Sequence, residues 1–377
     1  MRIYLDHNAT TPVRDEVIAA MTDALERLYG NPSSVHAEGA AARAAIEHAR
    51  GQVGSLLGVA PRAVLFTSGA SEANNMVLFG AAPEGTLVAS TADHPSVEAP
   101  LVSWEGKGRR VMRVPVDREG RLDPDAVDAA LADGASLLSV ILANNETGVL
   151  QPVAELAARA RARGVSVHVD ATQAVGKLPL DFGDGAIDWV TLTAHKFGGP
   201  KGAGCLVAPR GGELPALVQG GPQEGRRRGG TENVPGIVGL GVACALAQRE
   251  MDQRVRDYGA LRDRLWRGIE EKVPRVTRNG SVVHVLPNTL NVTFEDVAGE
   301  LLLQALDLEG VAVSAGAACA SGSIEPSRVL LALGLSPAQA RGTLRFSVGH
   351  GNTESQIDRV VTLLPELVTR IREARIG

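Results

Sequence analysis

The segment TLTAHKFGGPKGAG sets Lys196 directly after a strand-like run and a histidine, among glycines that let backbone come close to a ligand. Desolvation at such a strand end lowers the pKa of an amine, which is what an amine needs in order to condense with an aldehyde as a Schiff base. Taken alone, the segment is more readily explained by a surface lysine. Upstream, VHVDATQAVGK ends an apolar strand on Asp170, the place where parallel α/β sheets put ligand-contacting groups. A carboxylate buried there calls for a cation. The protonated pyridine nitrogen of pyridoxal 5'-phosphate is such a cation, and its ring can withdraw electrons from a substrate carbanion. Gln173, three residues on, can donate to the phenolic oxygen of that ring. An Asp capping the next helix explains this segment equally well when it stands alone.

FTSGASEANN, residues 66–75, passes from a strand through Ser68, Gly69, Ala70 and Ser71 into a helix, so several backbone donors lie at a positive helix end. That is a cradle for a phosphate ester. No GxxxxGK[ST] occurs and no GxGxxG follows a strand, which argues against nucleoside triphosphates and dinucleotides. His94, in ADHPSVEAP, follows the next strand, where an imidazole can lie flat on an aromatic cofactor or move protons near neutral pH.

These residues need a sheet to bring them together. From about 64 to 210 the runs VLFTSG, TLVAS, SLLSVILANN, VSVHVDAT, DWVTLTAHK and AGCLVAP alternate with helical stretches, the pattern of a mostly parallel α/β sheet. Several runs are almost continuously apolar, as expected with helices on both faces. From about 235 to 273 the chain reads as one long or bent helix. Strand-like TLNVTF, helical GELLLQALDLEG, strand-like TLRFSVGH and an amphipathic terminal helix follow as a smaller α+β unit. The expected division is a large domain over 15–250 and a small domain from 1–14 with 251–377, with a cleft between them.

Composition narrows the function classes. At 377 residues, 44% hydrophobic and 21% charged, the chain is long enough for roughly two domains and well able to bury a core. A net charge of −5 and only 3% aromatics supply neither the basic field nor the stacking platforms of a nucleic-acid binder. The three cysteines form no CxxC pair and no disulfide framework, and the N-terminus lacks a secretion signal. A soluble cytoplasmic protein, with no membrane partner and no direct nucleic-acid contact, is the expectation.

YLDHNATTP, GNPSSVH, FTSGASEANN, NNETGVLQP, VHVDATQAVGK, TAHKFGGPKG, GGPQEGRRRGGT and SAGAACASGSIEPS together, in this order across nearly the whole chain, resemble the cysteine desulfurases. These are pyridoxal phosphate enzymes related to the class V aminotransferases, here of the NifS and IscS type. The resemblance implies the fold type I architecture of pyridoxal phosphate-dependent transferases. It implies that Lys196 carries the cofactor as a Schiff base, Asp170 pairs with the pyridine nitrogen, Gln173 meets the phenolic oxygen and His94 stacks on the ring and assists catalysis. Asn145 would lie beside cofactor and substrate, and Ala70, Ser71, Thr193, Ala194 and His195 around the cofactor and its phosphate. Thr231 would reach the phosphate of a partner subunit, making the enzyme a homodimer. Arg345, in TLRFSVGH, would grip the substrate carboxylate with its bidentate fork.

By the same resemblance Cys319 is the nucleophile. Its surroundings are rich in Gly, Ala and Ser, which predicts a mobile loop able to meet the sulfur of L-cysteine and carry it away as a persulfide. Alanine is the other product, and a sulfur-acceptor protein, an iron–sulfur scaffold or a thiolation relay, the partner. Cys205 and Cys244 read as small core hydrophobes. No metal site is expected apart from cluster or persulfide ligation at Cys319. Three departures from the family pattern stand out: Pro222 in place of a Gly, Gly225 and Arg226 interchanged, and His350 where close relatives carry Arg. Selenocysteine lyase, another class V activity, and a non-enzymatic sulfur carrier are the alternatives.

Overall fold

A computed structural model of the protein describes residues 2–81, 84–183, 185–212, 214–315 and 326–374. The short strand β1 (Ile3–Tyr4) is followed by helices α1 (Asp15–Arg27) and α2 (Ala37–Leu57). Strands and helices then alternate as β2 (Val64–Thr67), α3 (Ala70–Gly80), β3 (Thr86–Ser90), α4 (Pro95–Glu105), β4 (Val111–Val114) and α5 (Pro124–Leu131). The alternation continues through β5 (Ala135–Ile141), α6 (Val153–Ala162), β6 (Ser166–Asp170), β7 (Trp189–Thr193) and β8 (Gly204–Val207).

The seven strands β2 to β8 form one sheet in the order β2-β8-β7-β6-β5-β3-β4. Only β8 runs antiparallel to its neighbours; the other pairs are parallel. Every residue of β2, β3 and β7 is buried, which is why these strands read as unbroken apolar or small-residue runs. The mostly parallel α/β sheet expected from the sequence is the one observed. Edge strand β4, sequence VMRV, was not legible: three of its four residues are only partly buried, so it carries no apolar signature.

Helix α7 (Val234–Lys272) runs for 39 residues. Its first half packs Ile237, Leu240, Ala243, Cys244 and Ala247 into the core under the large sheet, and Leu261, Leu265 and Ile269 of its second half join another core. The glycines of VGLGVACALA serve a purpose here. A Cβ on Gly241 would stand 2.7 Å from the Ala49 Cα of α2, so only glycine permits this close helix crossing.

The chain continues as β9 (Val276–Arg278), β10 (Thr289–Phe294), α8 (Gly299–Leu308), β11 (Val311–Ala312), β12 (Ser314–Ala315), α9 (Arg328–Ala332), α10 (Pro337–Arg341), β13 (Thr343–Ser347) and α11 (Glu354–Glu373). The second core is drawn from β9, β10, α8, β11, β12, β13 and α11, whereas Val329 of α9 packs into the first. Four of these strands form an antiparallel sheet, β12-β13-β10-β9. On its apolar stripe α11 buries Ile357, Val360, Leu364, Leu367 and Val368. Strand β1 pairs in parallel with β11, and Ile3 and Leu5 sink into this second core. The chain from Asp6 to Pro12 therefore leaves the small sheet and crosses to the turn after β7, where the Thr11 N–H donates to the His195 carbonyl (3.0 Å). Among the described residues no helix is long and apolar enough to cross a membrane.

Candidate active site

A cleft of about 740 Å³ opens at the carboxyl ends of β2, β3, β5, β6 and β7. Ala70, Ser71, His94, Asn145, Asp170, Gln173, Thr193, His195, Lys196 and Arg345 all line it. Such a position follows from the topology: in an open parallel sheet the strand ends and helix starts leave a crevice rimmed by backbone donors.

Helix α3 begins at Gly69 with no side chain capping its first turn, so its N-terminal N–H groups are available to an anion. The loop can lie this close to the sheet because β8 opposes it with Gly204, whose added Cβ would stand 2.6 Å from the Gly69 Cα. Lys201 and His195 also line the cleft. Glu72, in the first turn of α3, faces the cleft too. Burial alone would raise its pKa, but hydrogen bonds from Arg228 (2.9 Å) and the Ser68 N–H (2.9 Å) outweigh that and hold it below the ordinary carboxylate range.

Asp170 ends β6 and is 3% exposed. Its Oδ2 accepts from Asn74 Nδ2 (2.9 Å) and its Oδ1 from the Thr172 N–H (3.0 Å). No ion pair reaches it among the described residues. Asn74 is fully used: Nδ2 donates also to Ser96 Oγ (2.9 Å), and Oδ1 accepts from Thr191 Oγ1 (2.6 Å). Ser96 in turn fixes His94, which caps α4 by accepting the Ser96 N–H at Nδ1 (3.1 Å), so in the neutral ring Nε2 carries the proton. Burial lowers the pKa of His94.

Lys196 sits in the tight turn after β7. Its Nζ donates to the main-chain oxygens of Asn8 (2.7 Å) and Ala9 (2.8 Å). Burial, with Arg345 nearby, pushes this amine down to about 8. His195 is pushed down to about 4 by burial and by Lys196, and its Nδ1 meets Thr10 Oγ1 at 3.1 Å. Thr193 Oγ1 donates to the Ala203 carbonyl (3.0 Å). Arg345, on β13, donates to the Asn145 carbonyl (2.9 Å) and to Asp6 Oδ1 (2.6 Å), while its buried Nε has no partner.

Three expected site residues stand apart. Ala194 is wholly buried in the large core and does not line the cleft. Thr231 is exposed and lies outside the cleft of its own chain. Cys319 is outside the described residues. Both other cysteines are fully buried, and burial raises both thiols.

The chain matches the family model described as aminotransferase class-V over residues 3–360. A cysteine desulfurase of Sinorhizobium fredii is 46% identical over 379 residues, covering 99% of this chain and 98% of that protein. The chain belongs to the cysteine desulfurases of the class-V aminotransferase family. Among solved structures, a NifS-like protein superposes with a TM-score of 0.92 at 33% identity, covering 98% of this chain and all (100%) of that one. A structure described as SspA in complex with cysteine matches with a TM-score of 0.81 at 33% identity, covering 92% of this chain and 99% of that one.

Sequence reasoning assigned no role to Asn74, Asn8 or Lys177. Asn8 N donates to Ser347 Oγ (2.9 Å), Nδ2 to Thr289 Oγ1 (2.8 Å) and to the Asn145 carbonyl (3.2 Å), and Oδ1 accepts from Asn288 Nδ2 (3.0 Å). The segments YLDHNATTP and VHVDATQAVGK contain Asn8 and Lys177, but nothing in their spacing tells that the two side chains meet.

Proposed function

We propose that this protein is a pyridoxal phosphate-dependent cysteine desulfurase that converts L-cysteine to L-alanine and leaves the sulfur as a persulfide on Cys319. A sulfur-acceptor protein, serving iron–sulfur cluster assembly or thiolation, then takes it. The observation that carries this reading is the convergence, in one cleft, of a depressed lysine amine, a buried carboxylate without a cation, an uncapped helix start and an arginine with a free donor.

These features fit the cofactor. Asp170, held between Asn74 and the Thr172 N–H, has the position and charge to pair with a protonated pyridine nitrogen. The start of α3, with Ser71, Thr193 and His195, would hold the phosphate, and the flat face of His94 would lie on the ring. When bound, pyridoxal phosphate supplies an aldehyde that condenses with amines and a ring that stabilises negative charge on a substrate carbon.

The chain's own residues do the rest. Lys196, whose amine burial pushes down to about 8, would be the base that takes the proton from the substrate Cα. Arg345 Nε, buried and without a partner, would turn to the substrate carboxylate, and Asn145 is kept beside it by the Arg345 bond to its carbonyl. The Cys319 thiolate would attack the substrate sulfur: the S–S bond forms as the Cβ–S bond breaks, and the electron pair of the broken bond ends, with a proton, as a C–H bond at Cβ, so that alanine leaves and a persulfide remains. We propose further that the active unit is a homodimer in which exposed Thr231 serves the partner's cleft, that it works in the cytoplasm, and that the chain divides into 15–250 and 1–14 with 251–377.

Loading should depend on pH in a way set by Lys196. Only the neutral amine attacks the aldehyde, and with the amine pushed down to about 8 the neutral fraction grows as pH rises toward that value. The rate at which the visible absorption band forms in the apo-protein should rise about tenfold from pH 6 to 7 and level off above about 8.5. A midpoint near the ordinary lysine value would contradict the burial argument.

The function itself is tested by a brief cysteine pulse on cofactor-loaded protein followed by peptide mass spectrometry. A gain of about 32 Da, one sulfur atom, on the peptide holding Cys319, with stoichiometric alanine release, is expected. Alanine formation with no added mass at Cys319 would remove that residue from the reaction.

A further inference from the structure

Behind Gln173, away from the cleft, Lys177 is 3% exposed and makes no ion pair among the described residues. Its Nζ donates to Gln173 Oε1 (2.7 Å) and to Asn8 Oδ1 (3.1 Å). Gln173 Nε2 donates to the Asn8 carbonyl (2.9 Å), which also accepts Lys196 Nζ (2.7 Å). Three residues thus close a ring of hydrogen bonds immediately behind the lysine expected to hold the cofactor.

The polarity of that ring is forced. A side-chain amide has almost the same shape either way round, so only its neighbours decide which end is oxygen. The Asn8 carbonyl only accepts, so the Gln173 atom facing it must be Nε2, which turns Oε1 toward the N–H groups of Lys177. Asn8 is itself fixed, because its Oδ1 accepts from both Lys177 and Asn288 while its Nδ2 donates to Thr289 and to the Asn145 carbonyl. One Nε2 hydrogen of Gln173 goes to Asn8, and the other is left for the cleft that Gln173 lines.

We propose that Lys177 is a positioning residue that locks the Gln173 amide with a donor toward the cleft, so that Gln173 presents an N–H and never a carbonyl to the phenolic oxygen of the cofactor. The inference rests on the cofactor reading above. The amine suits the task because it defines direction where a second amide would not. Burial, with Lys196 and Arg345 nearby, holds Lys177 well below the usual lysine range.

The test is a mutant cycle on pyridoxal phosphate affinity, read by absorbance titration of the wild type, Lys177→Met, Gln173→Met and the double variant. Each single change is expected to weaken binding by about tenfold, the loss of one hydrogen bond of ordinary strength. The double variant should bind within about twofold of Gln173→Met, and Lys177→Met should move the visible band in the same direction as Gln173→Met. Effects that multiply in the double variant, or wild-type affinity and spectrum in Lys177→Met, would overturn the proposal. Should Lys177→Met not fold, Lys177→Gln takes its place, and the same non-multiplying pattern is required. A wild type that binds no pyridoxal phosphate refutes the cofactor reading; a wild type that binds while the cycle shows no coupling refutes the role of Lys177 alone.

Discussion

Lys196→Ala is expected to abolish both the covalent capture of the cofactor and turnover, with alanine formation falling by about 10³-fold or more. The reason lies in geometry rather than in the residue type. Lys196 is the lysine at the carboxyl end of β7 whose Nζ stands where Asn8 and Ala9 turn over the cleft, and burial has brought its amine down to about 8. Lys177, a few side chains behind, is also depressed but donates to Gln173 and Asn8 and lies outside the cleft. Borohydride reduction of loaded protein should therefore fix the cofactor to the peptide holding residue 196 in the wild type and to no peptide in Lys196→Ala. Label appearing at Lys177 in the variant, or turnover within tenfold of wild type, would show that the turn after β7 is not where the chemistry is anchored.

What the sequence made legible, and what it did not, follows from how far each residue's partners lie along the chain. Asp170, His94, Lys196 and the start of α3 each sit at the end of a buried strand, so the local change from apolar run to polar residue marks them, and the parallel sheet then gathers the ends into one crevice. Asn74 gives no such signal. It lies inside α3, and its value comes from touching Asp170, Ser96 and Thr191 on three other segments. The same holds for Asn8, whose partners Asn145, Thr289 and Ser347 are brought to it only when β1 pairs with β11 and the chain crosses between the cores. Buried polar networks are closed by tertiary structure, and a single sequence records their members without their pairing. Edge strand β4 was hidden for the opposite reason, since half-buried positions leave no pattern to read.

Cys319→Ala should separate the two halves of the reaction. The chain has three cysteines. Cys205 on β8 and Cys244 in α7 are both 0% exposed, and burial raises each thiol, so neither can present the thiolate that attacks a sulfur atom. If the thiol at 319 is the acceptor, its removal leaves every residue of the cleft in place. The variant should then bind pyridoxal phosphate within about twofold of wild type and still change its visible spectrum on adding cysteine, because exchange at Lys196 does not involve the thiol. Alanine release, however, should fall by more than about 10³-fold, the scale of losing a covalent nucleophile. Cys205→Ala and Cys244→Ala are the matched controls: they remove a thiol of equal intrinsic chemistry from the core and should retain kcat. Loss of turnover in either control with full turnover in Cys319→Ala would place sulfur acceptance inside the fold, where burial argues against a thiolate. With Cys205 and Cys244 buried and their thiols raised, turnover in the three variants therefore reports which thiol accepts the sulfur, with the cofactor site untouched.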